Sequence, residues 1–195
     1  MSLLTENIKI VKDRIAVLIG KKGSTKNFIE ERTQTEIDVD SKEGLVVISP
    51  KEGSKDPLGV WKARDICKAI SRGFSPERSY RLLHDDEGLE IINLTDIVGK
   101  NPKRIKRIKS RLIGETGKTR RIIEENTGVY VTIYGDTISM IGSINDESMR
   151  IARKAISMIV DGIQHSTVYS FLQRMKRRLN KQKLSLWSTF TLNED

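Results

Sequence analysis

Shifted by 94 residues, the sequence overlays on itself: LIGKKGSTKNFIEERT (18–33) lies on LIGETGKTRRIIEENT (112–127) with nine of sixteen positions identical. The identities include both glycines of a Gly-x-x-Gly and a following Glu-Glu pair. A repeat of this kind demands that one supersecondary unit be built twice. The 195 residues are therefore divided between two small domains of fewer than 100 residues each.

The flanks repeat in character as well. Upstream of each Gly-x-x-Gly lies a segment that reads as a strand, NIKIVKD (7–13) and GLEIINL (88–94), and between strand and glycines PKRIKRIKSRLI (102–113) reads as a helix. Downstream, Phe28 and Ile29, or Ile122 and Ile123, give a short helix its apolar face, with Ser24 expected to cap the first copy and Gly128 to close the second in left-handed geometry. Alternating segments follow, EIDVD with LVVIS and VYVTIY with TISMIG, joined by turns at Gly44 and Gly135-Asp136. Each copy then closes on a helical pattern, Val60 to Ile70 and Met149 to Ile159.

The hexapeptide Gly114-Glu115-Thr116-Gly117-Lys118-Thr119 imitates the end of a nucleotide-binding P-loop. That motif needs a glycine at 112, where the chain has Leu112, and a strand leading in where this one has a helix. The first copy has Ser24-Thr25 in place of Lys118-Thr119, so the phosphate-gripping lysine is lost on duplication. An NTPase is disfavoured on both counts. Two glycines three apart between two helices serve another purpose: without a Cβ they let a nucleic-acid backbone approach the main chain, beside the free N–H groups of the next helix. This is the clamp by which KH domains hold four nucleotides of single-stranded RNA.

Charge supports that reading. The net charge is +9 and the pI near 9.7, as expected of a chain that releases counterions from a polyanion. Between Lys100 and Arg121 ten basic residues stand against one acid, so this window alone carries the whole excess. Within it Ile105, Ile108 and Leu112 fall on one helical face, leaving Lys103, Arg104, Lys106, Arg107, Lys109 and Arg111 on the exposed sides. An idle surface helix mixes signs for i,i+4 pairing, and this one does not. The first copy is milder, with 14 basic and 11 acidic residues over 1–74.

The run RIKSRLIGETGKTRRIIEENTG and the later GIQHSTVYSFLQRMKRRL together resemble the archaeal ribosome-assembly KH proteins, related to the eukaryotic pre-ribosomal factor partner of Nob one, over nearly the whole chain. The resemblance implies an α+β fold of two tandem type I KH domains. Each is β-α-α-β-β-α with a three-stranded sheet packed on three helices, and a C-terminal basic helix follows. The expected boundaries are 1–74, a linker 75–87, 88–165 and a tail 166–195. The resemblance also implies a non-enzymatic role in binding the 3′ region of small-subunit rRNA or its precursor. The maturation endonuclease and the alpha subunit of translation initiation factor two are the implied protein partners.

The residues assigned to RNA contact are Gly20, Lys21, Lys22 and Gly23 in clamp one, and Gly114, Glu115, Thr116 and Gly117 with Lys118, Thr119, Arg120 and Arg121 in clamp two. Lys106, Lys109, Arg111 and Ile113 join them from the preceding helix. Ile19, Ile29, Ile113 and Ile123 are candidates for apolar groove walls and equally for core positions. Glu115 is unfavourable beside a phosphate path and keeps an alternative open, a protein-docking adaptor whose KH folds bind RNA weakly or not at all.

Nothing points to catalysis, metal or cofactor. His84 and His165 lack ligand-spaced neighbours, and the single cysteine, Cys67, sits on an apolar helix face. Glu30-Glu31 and Glu124-Glu125 recur in both copies, which marks them as parts of the unit and not as a catalytic dyad. No apolar run approaches the ~18 residues of a spanning helix, and MSLLTENIKIVKD does not read as an export signal, so a cytoplasmic protein is expected. The segment 75–87, of net charge −2, reads as a helix-bearing linker; in the tail Tyr169, Phe171 and Leu172 form an apolar stripe beside Arg174, Lys176, Arg177 and Arg178. Trp187 and Phe190 follow without clear periodicity.

Overall fold

The computed structural model describes residues 5–54, 56 and 58–191, with side chains to Lys181. The first repeat runs β1 (Glu6–Lys9), α1 (Lys12–Ile19), a single 3-10 turn over Lys21–Gly23, α2 (Ser24–Thr33), β2 (Thr35–Asp40), β3 (Leu45–Pro50) and α3 (Gly59–Ser71). A short helix α4 (Pro76–Ser79) and a 3-10 turn (Tyr80–Leu83) follow. The second repeat runs β4 (Glu87–Asn93), α5 (Leu94–Val98), α6 (Pro102–Ile113), a 3-10 turn (Glu115–Gly117), α7 (Lys118–Thr127), β5 (Tyr130–Tyr134), β6 (Thr137–Ser143), α8 (Ser148–Val160) and α9 (His165–Thr191).

Both sheets have three antiparallel strands with the last strand central, in the orders β1-β3-β2 and β4-β6-β5. In the first, Ile8 pairs with Val46 and Ile37 with Ile48, so alternate residues share the inward face. Those four side chains are buried together with Ile15, Leu18 and Ile29 of the clamp helices and Ala63, Ile66, Cys67 and Ile70 of α3. The α+β order expected from the repeat is therefore present twice, with one helix more, α5, in the second copy.

The chain separates into two compact units, one formed by residues up to Asn93 with Thr132–Ile141 and the other by Leu94–Val131 with the residues from Gly142 onward. The division cuts through the second sheet. Strand β6 is buried from Thr137 to Gly142, Thr137, Ile138, Ser139, Met140 and Ile141 being 0–4% exposed, so over that stretch it offers neither face to solvent.

Some expected details differ. The first strand ends at Lys9, and Lys12 and Asp13 of the supposed strand NIKIVKD already belong to α1. Ser24 does not cap α2: it is the first helical residue, at φ −58°, and left-handed Gly23 holds the cap position, so the serine hydroxyl is on the wrong side of the turn to serve the N2 and N3 amides. Helix α6 does have a built start, Asn101 accepting from the amides of Lys103 and Arg104 at 3.1 and 3.3 Å ahead of Pro102. Gly128 closes α7 in left-handed geometry, as expected.

The Glu-Glu pairs have the structural role that their recurrence indicates. Glu30 accepts the Ile37 amide at 2.7 Å and Glu124 the Val131 amide at 2.8 Å, each tying the end of the post-clamp helix to the next strand. Cys67 is fully buried, and burial, reinforced by the charge of Glu30, pushes its thiol up to about 12. Reaction with a disulfide reagent at pH 8 is expected to require unfolding, so the native protein should titrate no thiol within the time that the urea-denatured chain titrates one.

Candidate nucleic-acid interface

The two Gly-x-x-Gly loops have the same backbone. Gly20 lies at φ 72°, ψ 177° and Gly114 at 73°, 176°; Lys22 at 54°, 31° and Thr116 at 49°, 27°; Gly23 at 83°, 5° and Gly117 at 79°, 13°. Conformations with φ near +70° and ψ near 180° belong essentially to glycine. The first glycine of each loop has a second reason to be one. A Cβ on Gly20 would stand 2.3 Å from Thr25 Oγ1 and 2.7 Å from its amide nitrogen, and the same two distances hold between Gly114 and Thr119.

The second glycine differs. A Cβ on Gly23 would meet nothing nearer than Asn27 at 3.5 Å, and one on Gly117 nothing nearer than Arg120 at 4.0 Å. The loop is thus packed from beneath at its first glycine and open at its second, the arrangement that an approaching backbone requires. Thr116 is a β-branched residue held at positive φ, and Arg121 fixes it by donating to its carbonyl at 3.1 Å. In this way one of the expected RNA-binding arginines shapes the loop.

The other assigned residues sort by burial. Lys21, Lys22, Glu115, Thr116 and Lys118 are exposed at the loops, Arg120 is half-buried, and Thr119 is buried at 2%. Ile29 and Ile123 are wholly buried and belong to the core, whereas Ile113 is 38% exposed beside Gly114 and Ile19 is half-buried. Lys103, Arg104, Lys106 and Arg107 are exposed, and among the described residues none of their side chains meets a carboxylate. Lys109 is half-buried.

Arg111 is in a different situation from its neighbours. Its guanidinium donates to Ile163 O at 2.5 Å, and His165 Nε2 lies 2.9 Å from Arg111 O, so the end of α6 is stitched to the start of α9. An open groove of about 610 Å³ runs along this side, bounded by Lys103, Lys106, Arg107 and Arg111 and reaching Gly114 and His165. The positive face therefore leads directly into clamp two. Among the described residues no group of His, Cys, Asp and Glu could hold a metal ion, and no helix is long and apolar enough to cross a membrane.

Helix α9 begins the C-terminal segment. Val168 and Leu172 are fully buried, while Arg174, Lys176, Arg177 and Arg178 are exposed. Lys176 donates to Glu125 O at 3.0 Å and Arg178 to Glu147 at 3.4 Å. The backbone stays helical through Thr191, where the sequence shows no clear period; Trp187 and Phe190 lie outside the residues whose side chains are described.

The exit segments contain what sequence reasoning missed. With a shift of 89 residues instead of 94, α3 overlays on α8, each 13 residues long, and GFSPERSYRLL (73–83) on GIQHSTVYSFL (162–172). The shift changes because both the β2–β3 turn and the connection from β3 to α3 are longer than their counterparts in the second copy, and a comparison at one fixed shift loses register there. The contacts repeat with the sequence. Arg14 donates to Phe74 O at 2.5 Å as Arg111 does to Ile163 O; Tyr169 is hydrogen-bonded to Thr119 at 2.8 Å, and Tyr80, its equivalent, interacts with Thr25. Residues 75–83 are thus the first copy's equivalent of the start of α9.

Two sheets of this order, each with a glycine clamp between two helices that join its first strand to its second, define a tandem KH protein. The model of a KH domain matches residues 5–65, and that of a eukaryotic type KH-domain (KH-domain type I), built on the second KH domain of PNO1, matches 88–177. The KH domain-containing protein MJ0443 of Methanocaldococcus jannaschii is 42% identical over 182 residues, 93% of this chain and 78% of that protein. Dim2p of Pyrococcus horikoshii is similar in its crystal structure alone, at 51% identity and a TM-score of 0.82 over 88% of this chain and 99% of that one. It is similar again in the crystal structure of its complex with a/eIF2alpha and rRNA, at 50% identity and a TM-score of 0.85 over 91% and 97%. The chain belongs to the archaeal Dim2p family of RNA-binding, ribosome-assembly KH proteins, relatives of the eukaryotic partner of Nob one.

Proposed function

We propose that this chain binds single-stranded RNA from the 3′ region of small-subunit rRNA or its precursor, as a non-enzymatic assembly factor of the cytoplasm. Clamp two is the principal site and clamp one an auxiliary one. The observation that carries this reading is the junction of clamp two with the exposed cationic side of α6 formed by Lys103, Lys106 and Arg107. Phosphates meet the open second glycine and the first-turn amides of α7, which have no acceptor within their own helix, and continue along Lys103, Lys106 and Arg107. Gly20 to Gly23 in clamp one, and Gly114 to Arg121 with Lys106, Lys109, Arg111 and Ile113 in clamp two, form the RNA contacts. In this reading Arg111 and Arg121 act mainly by holding their neighbours.

The functional domains in this reading are the repeats, 1–74 and 88–165, with 166–195 as a basic extension. The initiation-factor alpha subunit is a proposed protein partner, because the Pyrococcus relative was crystallised with a/eIF2alpha and rRNA together. The maturation endonuclease is proposed as a second, on the strength of the family's place in ribosome assembly.

Fluorescence anisotropy with a labelled single-stranded RNA from the 3′ end of small-subunit rRNA tests the proposal. Wild type is compared with Lys21→Asp/Lys22→Asp and Glu115→Asp/Thr116→Asp. The second pair should lose most of the affinity while remaining folded and the first should lose less. Equal binding by all three proteins would move the function away from the clamps, to the basic helix or to a protein partner as in the adaptor role.

A further inference from the structure

We propose that Tyr80 and Tyr169 are positioning residues of the two clamps, each using its hydroxyl to fix the threonine on which the first clamp glycine rests. The proposal builds on the RNA-clamp reading and names what sets the shape of that site. Thr25 and Thr119 stand five residues after Gly20 and Gly114 and are 8% and 2% exposed. Their hydroxyls are wedged beneath those glycines, at 2.3 Å from where a Cβ would stand. A threonine hydroxyl in that place has alternative staggered positions about χ1, and the one it takes decides whether the glycine and the loop above it are supported.

A buried hydroxyl also needs a partner. For Thr119 the partner is a tyrosine hydroxyl that comes from outside the β-α-α-β-β-α unit, that of Tyr169 from α9, at 2.8 Å from Oγ1; the equivalent tyrosine of the first copy, Tyr80 in the turn after α4, interacts with Thr25. The two tyrosines sit in different local structures, one in a 27-residue helix and one in a four-residue 3-10 turn. Their ring surroundings differ too, Tyr80 packing on Phe28 with centroids 4.3 Å apart and Tyr169 lying 5.9 Å from His165. What the copies share is a tyrosine that interacts with the threonine beneath the clamp. Packing alone would preserve a ring and leave the position of the oxygen free to vary.

Tyr169→Phe keeps the ring and removes only the oxygen, and it is measured in the Lys21→Asp/Lys22→Asp background, where RNA affinity reports clamp two. Affinity is expected to fall about three- to tenfold, the effect of one net hydrogen bond. Thr119→Val should lose a similar factor, and the double variant no more than either single one, since all three break the same contact. In the free protein, amide hydrogen exchange at Glu115 to Lys118 should quicken in Tyr169→Phe while that at Lys21 to Ser24 stays as in wild type. Tyr80→Phe should show the reverse pattern. Unchanged exchange in the loop facing the substituted tyrosine would overturn the proposal whether or not RNA binds. A wild type that binds no RNA would instead overturn the clamp reading, and the exchange measurement would still decide the role of the tyrosines.

Discussion

A Lys106→Glu/Arg107→Glu chain is expected to bind single-stranded RNA at least about a hundredfold more weakly than wild type near physiological salt, with an unchanged unfolding curve. Each phosphate neutralised on a single strand contributes about 0.7 to the slope of log affinity against log salt. Losing two contacts should therefore flatten the slope by about 1.4, and the two introduced carboxylates add repulsion along the path to Gly114. Stability is spared because both side chains are exposed and, among the described residues, meet no carboxylate. Anisotropy titrations at four or five salt concentrations read affinity and slope together. An unaltered slope would mean that phosphates do not run along α6.

The second large effect separates the two glycines of one clamp. Gly114→Ala is expected to destabilise the protein by on the order of 3 kcal/mol in urea unfolding, because the backbone conformation is all but closed to alanine. The new methyl also strikes the Thr119 amide, which belongs to α7 and has nowhere to retreat. Gly117→Ala should cost about 1 kcal/mol, the ordinary penalty of a left-handed alanine, since the space around it is open. Its loss should appear instead in RNA affinity, where the methyl occupies the surface a nucleic-acid backbone must reach. Similar stabilities for the two variants would mean that the packing beneath Gly114 yields at no cost.

The repeat made the fold legible because its signals were local. Glycine spacing, the apolar positions of α6 and the returning Glu-Glu pairs each report on a few neighbouring residues, and each translates into one element or one contact. What stayed hidden depended on distance in the chain. Arg111 and Arg121 carry the same charge as Lys106 and Arg107 and lie in the same basic run. Only the folded arrangement shows that Arg111 is engaged with Ile163 and Arg121 with Thr116. The correspondence of residues 73–83 with 162–172 lies at a shift of 89 and not 94, so the shift that reveals the clamps does not reveal it. Ser24 was misplaced as a cap because the glycine before it takes the conformation in which such a helix begins.

The near-identity of the two loops has an evolutionary consequence. Their backbones agree within 8° at the three residues compared, although one carries Lys21-Lys22 and the other Glu115-Thr116 between its glycines. Shape is specified by the glycines and by what lies beneath them, so the central pair can mutate without disturbing the frame. A lineage carrying two such loops can retune one ligand preference while the other continues to serve, and selection has at each clamp a pair of positions at which novelty does not threaten the fold.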